Sequence, residues 1–202
     1  MALRFILAHG AGAPASSAWM LRYAELLAGL GCVRSFDYPY MRGGARKAPD
    51  KLETLIAAHR AELDAERAAA APTDKLLLAG KSMGGRVGCH LALEADVSGL
   101  VCFGYPLRGQ NGKLRDEVLL SLRTPVLFVQ GTRDALCALD ELDSVRKRMT
   151  ARSELFVVES GDHSLEATKT WLKARGTTQA AVELAVLGAV RDFCASLEPR
   201  AT

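Results

Sequence analysis

The segment Leu76-Leu77-Leu78-Ala79-Gly80-Lys81-Ser82-Met83-Gly84-Gly85 constrains this chain more than any other. An apolar, strand-like run ends in Gly-x-Ser-x-Gly, and a glycine-rich helical segment follows at once from Met83. A serine between such a strand and such a helix sits on a sharp, strained turn, with its hydroxyl lifted above the edge of a sheet. Gly80 and Gly84 suit that turn, because neighbouring backbone passes too close for a Cβ. A helix beginning at Met83 aims its free N–H groups and positive dipole end at the same point. The plainer reading of the five-residue pattern, taken alone, is chance. The strand before it and the helix after it give it weight.

Strand and helix signals alternate along the whole chain. Strands are expected near 3–8, 33–38, 75–79, 99–104, 125–130 and 154–159, and helices near 17–29, 50–70, 83–94, 139–149 and 178–197. The strands are continuously apolar rather than alternating, which means burial on both faces, as in a parallel sheet between two helical layers. The 202 residues, 49% of them hydrophobic, suffice for one domain spanning 1–202. No internal repeat or domain boundary is visible. The Ala-rich stretch from Ala65 to Ala71 reads as a helix end before Pro72.

No apolar run approaches a membrane span. The N-terminal apolar stretch is interrupted by His9 and reads as a first strand rather than a secretion signal. Five cysteines show no metal-ligand spacing. Cys32, Cys89, Cys102 and Cys194 are expected to be buried, reduced thiols of a cytoplasmic protein, and Cys137 to be the exposed one near the site. A net charge of +3 is too small to suggest nucleic acid. No metal or cofactor is called for, and the oligomeric state cannot be read.

A serine nucleophile needs a histidine base and a carboxylate to orient it. Pro125 to Asp134 forms a second apolar strand ending in Gln130-Gly131-Thr132-Arg133-Asp134, and Glu154 to His163 forms a third ending in Gly161-Asp162-His163. Serine, acid and histidine thus follow in order at strand ends, which assigns Ser82 as nucleophile, Asp134 as orienting acid and His163 as base. Each alone has a plainer reading, Asp134 as a helix cap and His163 as an exposed loop residue. Asp162, the rival acid, adjoins His163 and suits a turn better. His59 lies on the helical stripe Leu52, Leu55, Ile56, His59, Leu63 and reads as structural; His90 is two turns beyond Ser82. Oxyanion donors are expected at the N–H of Met83 and, from His9-Gly10-Ala11-Gly12, at Ala11 with Gly12 second. His9 reads as a brace for that loop.

Two other motif readings compete. Gly10-x-Gly12-x-x-Ala15 with Asp37 resembles a dinucleotide-binding fingerprint, but Pro14, Ser16 and Ser17 delay the helix that fingerprint needs. Gly80-Lys81-Ser82 lacks the upstream glycine of a phosphate-binding loop, since position 75 is Lys75. Basic residues cluster after two strands: Arg42, Arg46 and Lys47 in one loop, Arg108 and Lys113 in another. They are expected at the ligand-binding edge of the sheet, where Arg42 and Arg108 would contact an acidic substrate; a solvated basic surface is the plainer reading. Lys81 is expected to point away from Ser82.

His9–Gly12, the Gly80–Gly84 elbow, Gln130–Asp134 and Gly161–His163 together make the chain resemble the α/β-hydrolase superfamily over nearly its whole length. The Gly80–Arg86 form and the Asp37-Tyr-Pro-Tyr stretch resemble a narrower group. It includes a testis-expressed protein, a regulatory subunit of a histone-acetylating complex and dienelactone-hydrolase-like bacterial proteins. The resemblance implies a minimal three-layer α/β-hydrolase fold, a mostly parallel six-stranded sheet in the order 2-1-3-4-5-6 with helices on both faces and no lid domain. It implies a serine hydrolase, and the segment of about twenty residues between Gly104 and Pro125, with room for one short helix and no lid, points to small soluble esters. Dienelactone hydrolases use a cysteine where this chain has Ser82, so lactone specificity does not carry over. Some members of the group serve in complexes, so an idle fold acting as a binding module is the alternative.

Overall fold

The continuous apolar runs become strands whose side chains alternate between two buried faces. In β1 (Leu3–Ala8), Phe5 and Leu7 enter one core and Ile6 and Ala8 the other; in β3 (Lys75–Lys81), Leu77 and Ala79 join the first, Leu76 and Leu78 the second. The first core is closed by α1 (Ala18–Ala28) and α7 (Gln179–Ser196), through Trp19, Tyr23, Leu27, Val186, Val190 and Phe193. The second is closed by α2 (Leu52–Ala69), α3 (Met83–Leu91), α4 (Glu117–Ser121) and α5 (Leu139–Arg146). Two-sided burial is why these strands carry no polar stripe.

This computed structural model describes residues 2–42, 48–109 and 111–197. Its remaining strands are β2 (Cys32–Phe36), β4 (Gly99–Phe103), β5 (Val126–Gly131) and β6 (Ser153–Val158), with α6 (Lys169–Arg175) after β6. The sheet order is β2-β1-β3-β4-β5-β6, and every pair is parallel. The three-layer α/β-hydrolase fold is therefore present, parallel throughout among the described residues. Its loops after β1, β3, β5 and β6 emerge at one edge, the place where open α/β sheets bind ligands. No helix among the described residues is long and apolar enough to cross a membrane.

Two expectations about the cysteines need correction. Cys32 is exposed, because β2 is an edge strand and the flanking helices leave much of it uncovered. Cys137 is buried beneath the Asp134 loop, and burial pushes its thiol up to about 12. The short helix α6 carries no apolar stripe because it buries no residue; it is marked instead by the Thr168 side chain accepting from Trp171 N–H and by left-handed Gly176. Arg46 and Lys47 lie outside the described residues.

His59 is fully buried on α2 against Phe36 and Tyr38, the Tyr38 hydroxyl 3.2 Å from its Nδ1. Burial pulls its pKa from 6.5 to about 3. Folded His59 thus stays neutral where the unfolded chain takes up a proton, so its contribution is complete above pH 6.5 and is lost as pH falls towards 3. We expect the unfolding free energy in urea to fall from pH 6.5 to 4.5, His59 supplying up to about 1.4 kcal/mol per pH unit. His59→Leu flattens part of that slope; an unchanged slope contradicts the assignment.

Candidate active site

Strand β3 turns into α3 at Ser82, which has φ 50° and ψ −114°. Few side-chain-bearing residues adopt that backbone, and such strain persists only where the surroundings enforce it. Here a Cβ on Gly80 would lie 2.3 Å from Gly85 N, and one on Gly84 2.4 Å from Ala8 O. Strand, helix and the end of β1 thus meet backbone to backbone, and the Ser82 N–H is tied to Phe103 O at 2.9 Å. Met83 opens α3, whose first-turn N–H groups have no intrahelical partner.

The loops after β5 and β6 bring the other two residues to this turn. Asp134 Oδ2 lies 2.7 Å from His163 Nδ1, and His163 Nε2 lies 2.8 Å from Ser82 Oγ. A carboxylate only accepts, so the proton sits on Nδ1 and Nε2 is left to accept from the Ser82 hydroxyl. Asp134 is buried and takes two further donors, Leu136 N–H at 2.9 Å and the Gln130 side-chain amide. Gln130 also accepts from Tyr105 N–H at 3.0 Å, so it locks the acid between β4 and β5. Asp162 shapes the histidine loop: its Oδ1 accepts from the N–H groups of Ser164 at 2.7 Å and Glu166 at 3.1 Å. The structure brings Ser82, Asp134 and His163 together and leaves Asp162 outside the chain of hydrogen bonds.

Ala11, in the loop after β1, faces the same cleft as Ser82 and His163. His9 braces that loop. Its Nδ1–H donates to Gly10 O at 2.6 Å while Nε2 accepts from Tyr38 N–H at 3.1 Å, an arrangement open only to neutral imidazole. Burial lowers the His9 pKa accordingly. The Tyr40 hydroxyl donates to Ala11 O at 3.1 Å, and Asp37 accepts from Ala15 N–H at 2.7 Å. Asp37 is thereby committed to the loop, and α1 begins only at Ala18, so the dinucleotide reading has neither its acid nor its helix start.

The cleft holds about 450 Å³ between Ala11, Trp19, Met20, Lys81 and Ser164, with Ser82 and His163 at its floor. A larger concavity of about 500 Å³ lies on the outer side of α2 among Glu53, Arg60, Asp64 and Glu94; it has charges but no nucleophile. Lys81 corrects the expectation that it points away. It is the last residue of β3 and shares the sheet face of Leu77 and Ala79, which directs it towards Trp19 on α1. Arg42 and Arg108 are not brought to the cleft. Arg42 donates to Asp37 O at 3.0 Å and lies 3.8 Å from Glu62, while Arg108 pairs with Glu141 and donates to Gly112 O at 2.6 Å. Gln130, Trp19 and Ser164 are the site residues that sequence reasoning missed. A glutamine inside an otherwise apolar buried strand was the available signal, since a buried amide must find partners.

The family model described as alpha/beta hydrolase domain matches residues 1–194. Among solved structures, a lidless α/β serine hydrolase from Xanthomonas campestris is 18% identical, with 98% of this chain and 84% of that chain covered and a TM-score of 0.71. The Est1E protein of Butyrivibrio proteoclasticus with ferulic acid bound is 16% identical, with coverage of 98% and 89% and a TM-score of 0.71. A putative α/β hydrolase from Agrobacterium tumefaciens is 13% identical, with coverage of 99% and 89% and a TM-score of 0.73. At such identities these structures speak for the fold. With the family model spanning nearly its whole length, this chain belongs to the alpha/beta hydrolase domain family.

Proposed function

We propose that the protein is a serine carboxylesterase that cleaves small soluble acyl esters through an acyl-enzyme. One observation carries this reading: Ser82 Oγ, both nitrogens of His163 and the Asp134 carboxylate form one hydrogen-bonded chain, at 2.8 and 2.7 Å, on the floor of an open cleft. Ser82 Oγ attacks the ester carbonyl carbon as His163 Nε2 takes its proton. The tetrahedral oxyanion accepts from the N–H groups of Met83 and Ala11. Collapse expels the alkoxide, which takes the proton from His163, and water then repeats the sequence on the acyl-enzyme. Asp134 holds the Nδ1–H tautomer and stabilises the imidazolium. These steps need no metal or cofactor. The idle-module reading calls for a filled site or a histidine turned away, and His163 faces Ser82. We further propose that the enzyme works in the cytoplasm, on a small molecule rather than on nucleic acid or a membrane.

Substrate size follows from the β4–β5 connection. Among its described residues the one helix is the five-residue α4, too short for a lid that would add apolar surface above the cleft. Acetyl to butyryl esters should give the highest kcat/KM, with a fall at octanoyl and beyond. A rate that jumps when a long-chain ester passes its micellar concentration contradicts this.

A further inference from the structure

Lys81 places an ammonium group in the cleft, and no carboxylate among the described residues pairs with it directly. Its Nζ donates to Ser164 Oγ at 2.7 Å and lies 4.6 Å from the centroid of a Trp19 ring. Both partners are neutral. The carboxylates whose fields reach it are committed elsewhere: Asp134 to His163, Gln130 and Leu136 N–H, Asp162 to the N–H groups of Ser164 and Glu166, and Glu166 to Arg22 at 3.5 Å. Burial lowers the Lys81 pKa, the mark of a charge held partly out of water. An ammonium carries three donors, and the one bond to Ser164 Oγ leaves two that a ligand in the cleft can engage. A solvated surface lysine would extend into water instead of lying across an indole beside the nucleophile. The cost of keeping this charge is offset when a ligand brings a carboxylate.

We propose that Lys81 is an anion anchor and that the natural substrates carry a carboxylate close to the ester that Ser82 attacks. The inference rests on the serine-hydrolase reading and names the substrate class for it. The carboxylate can sit on the acyl part, as in a half-ester of a short dicarboxylic acid, or on the alcohol part, as in an acetylated hydroxy acid. In either case its oxygen takes a charge-assisted hydrogen bond from Nζ while the ester carbonyl lies over Ser82.

Two matched pairs test this, each differing only in carboxylate against amide: phenyl hydrogen succinate with phenyl succinamate, and 4-acetoxybutyrate with 4-acetoxybutyramide. In the wild-type protein at least one pair should show an acid-to-amide ratio of kcat/KM of about tenfold or more, the scale of one charge-assisted hydrogen bond. The pair that shows it identifies the side carrying the charge. Lys81→Met should bring the ratio to near one, while Arg108→Gln, outside the cleft, should leave it in place. A measurement independent of any variant is inhibition of phenyl acetate turnover: succinate should compete and succinamide should not. Ratios near one with no inhibition by succinate, or a preference that survives Lys81→Met, overturn the anchor while Ser82-dependent turnover of phenyl acetate keeps the hydrolase reading. Absence of any Ser82-dependent turnover overturns both.

Discussion

Ser82→Ala is expected to lower kcat on short esters by about four to six powers of ten, and His163→Ala by a similar factor. The two act as one unit, since Nε2 has no proton to take without Oγ and Oγ has no base without Nε2. The double variant should therefore be no slower than either single one. Asp134→Asn should cost about 10⁴-fold by a different route. The native carboxylate receives three donors, from His163, Gln130 and Leu136. An amide there turns one acceptor oxygen into a donor, so a donor loses its partner and the imidazole its tautomer. Steady-state kinetics on phenyl acetate reads all four proteins. Losses that multiply in the double variant would contradict a shared mechanism.

The largest expected effect on stability belongs to Gly80→Ala. The added Cβ would lie 2.3 Å from Gly85 N and 2.4 Å from Gly84 C, all backbone, so β3 and α3 would have to part. We expect a loss of about 3 kcal/mol or more, with catalysis falling as the elbow distorts. Gly12→Ala is the comparison: a Cβ there meets nothing within 4 Å, and the unfolding free energy should change by about 0.5 kcal/mol or less. Urea unfolding of both variants decides it. A mild effect at Gly80 would mean that the elbow is not held by backbone contact.

These variants separate what the residue order reveals from what only folding supplies. Ser82, Asp134 and His163 were legible because each is a polar residue closing an apolar run, and because parallel strands deliver their ends to one edge. The inner strands β3, β4 and β5 were legible because burial on both faces makes them continuously apolar, whereas α6 buries nothing and left no periodic trace. The strand order came with the family resemblance, since no apolar run states which neighbour it will pair with. The partners of Arg42 and Arg108 were invisible because Glu62 on α2 and Glu141 on α5 reach them only through packing. Local divergence at the elbow misdirects the expectation for Lys81, because the strand alternation of β3 runs through that position. Once β3 is seen to extend through Lys81, the period of two sends the side chain to the α1 face and into the cleft.

The central claim is that Ser82 is an activated nucleophile. A fluorophosphonate probe reacts covalently only with a serine whose proton a neighbouring base can take, so labelling of folded protein, read by peptide mass spectrometry, addresses it directly. The account predicts one adduct per chain, on Ser82, lost in Ser82→Ala and greatly slowed in His163→Ala. Folded wild-type protein that stays unlabelled, or that labels elsewhere, contradicts it.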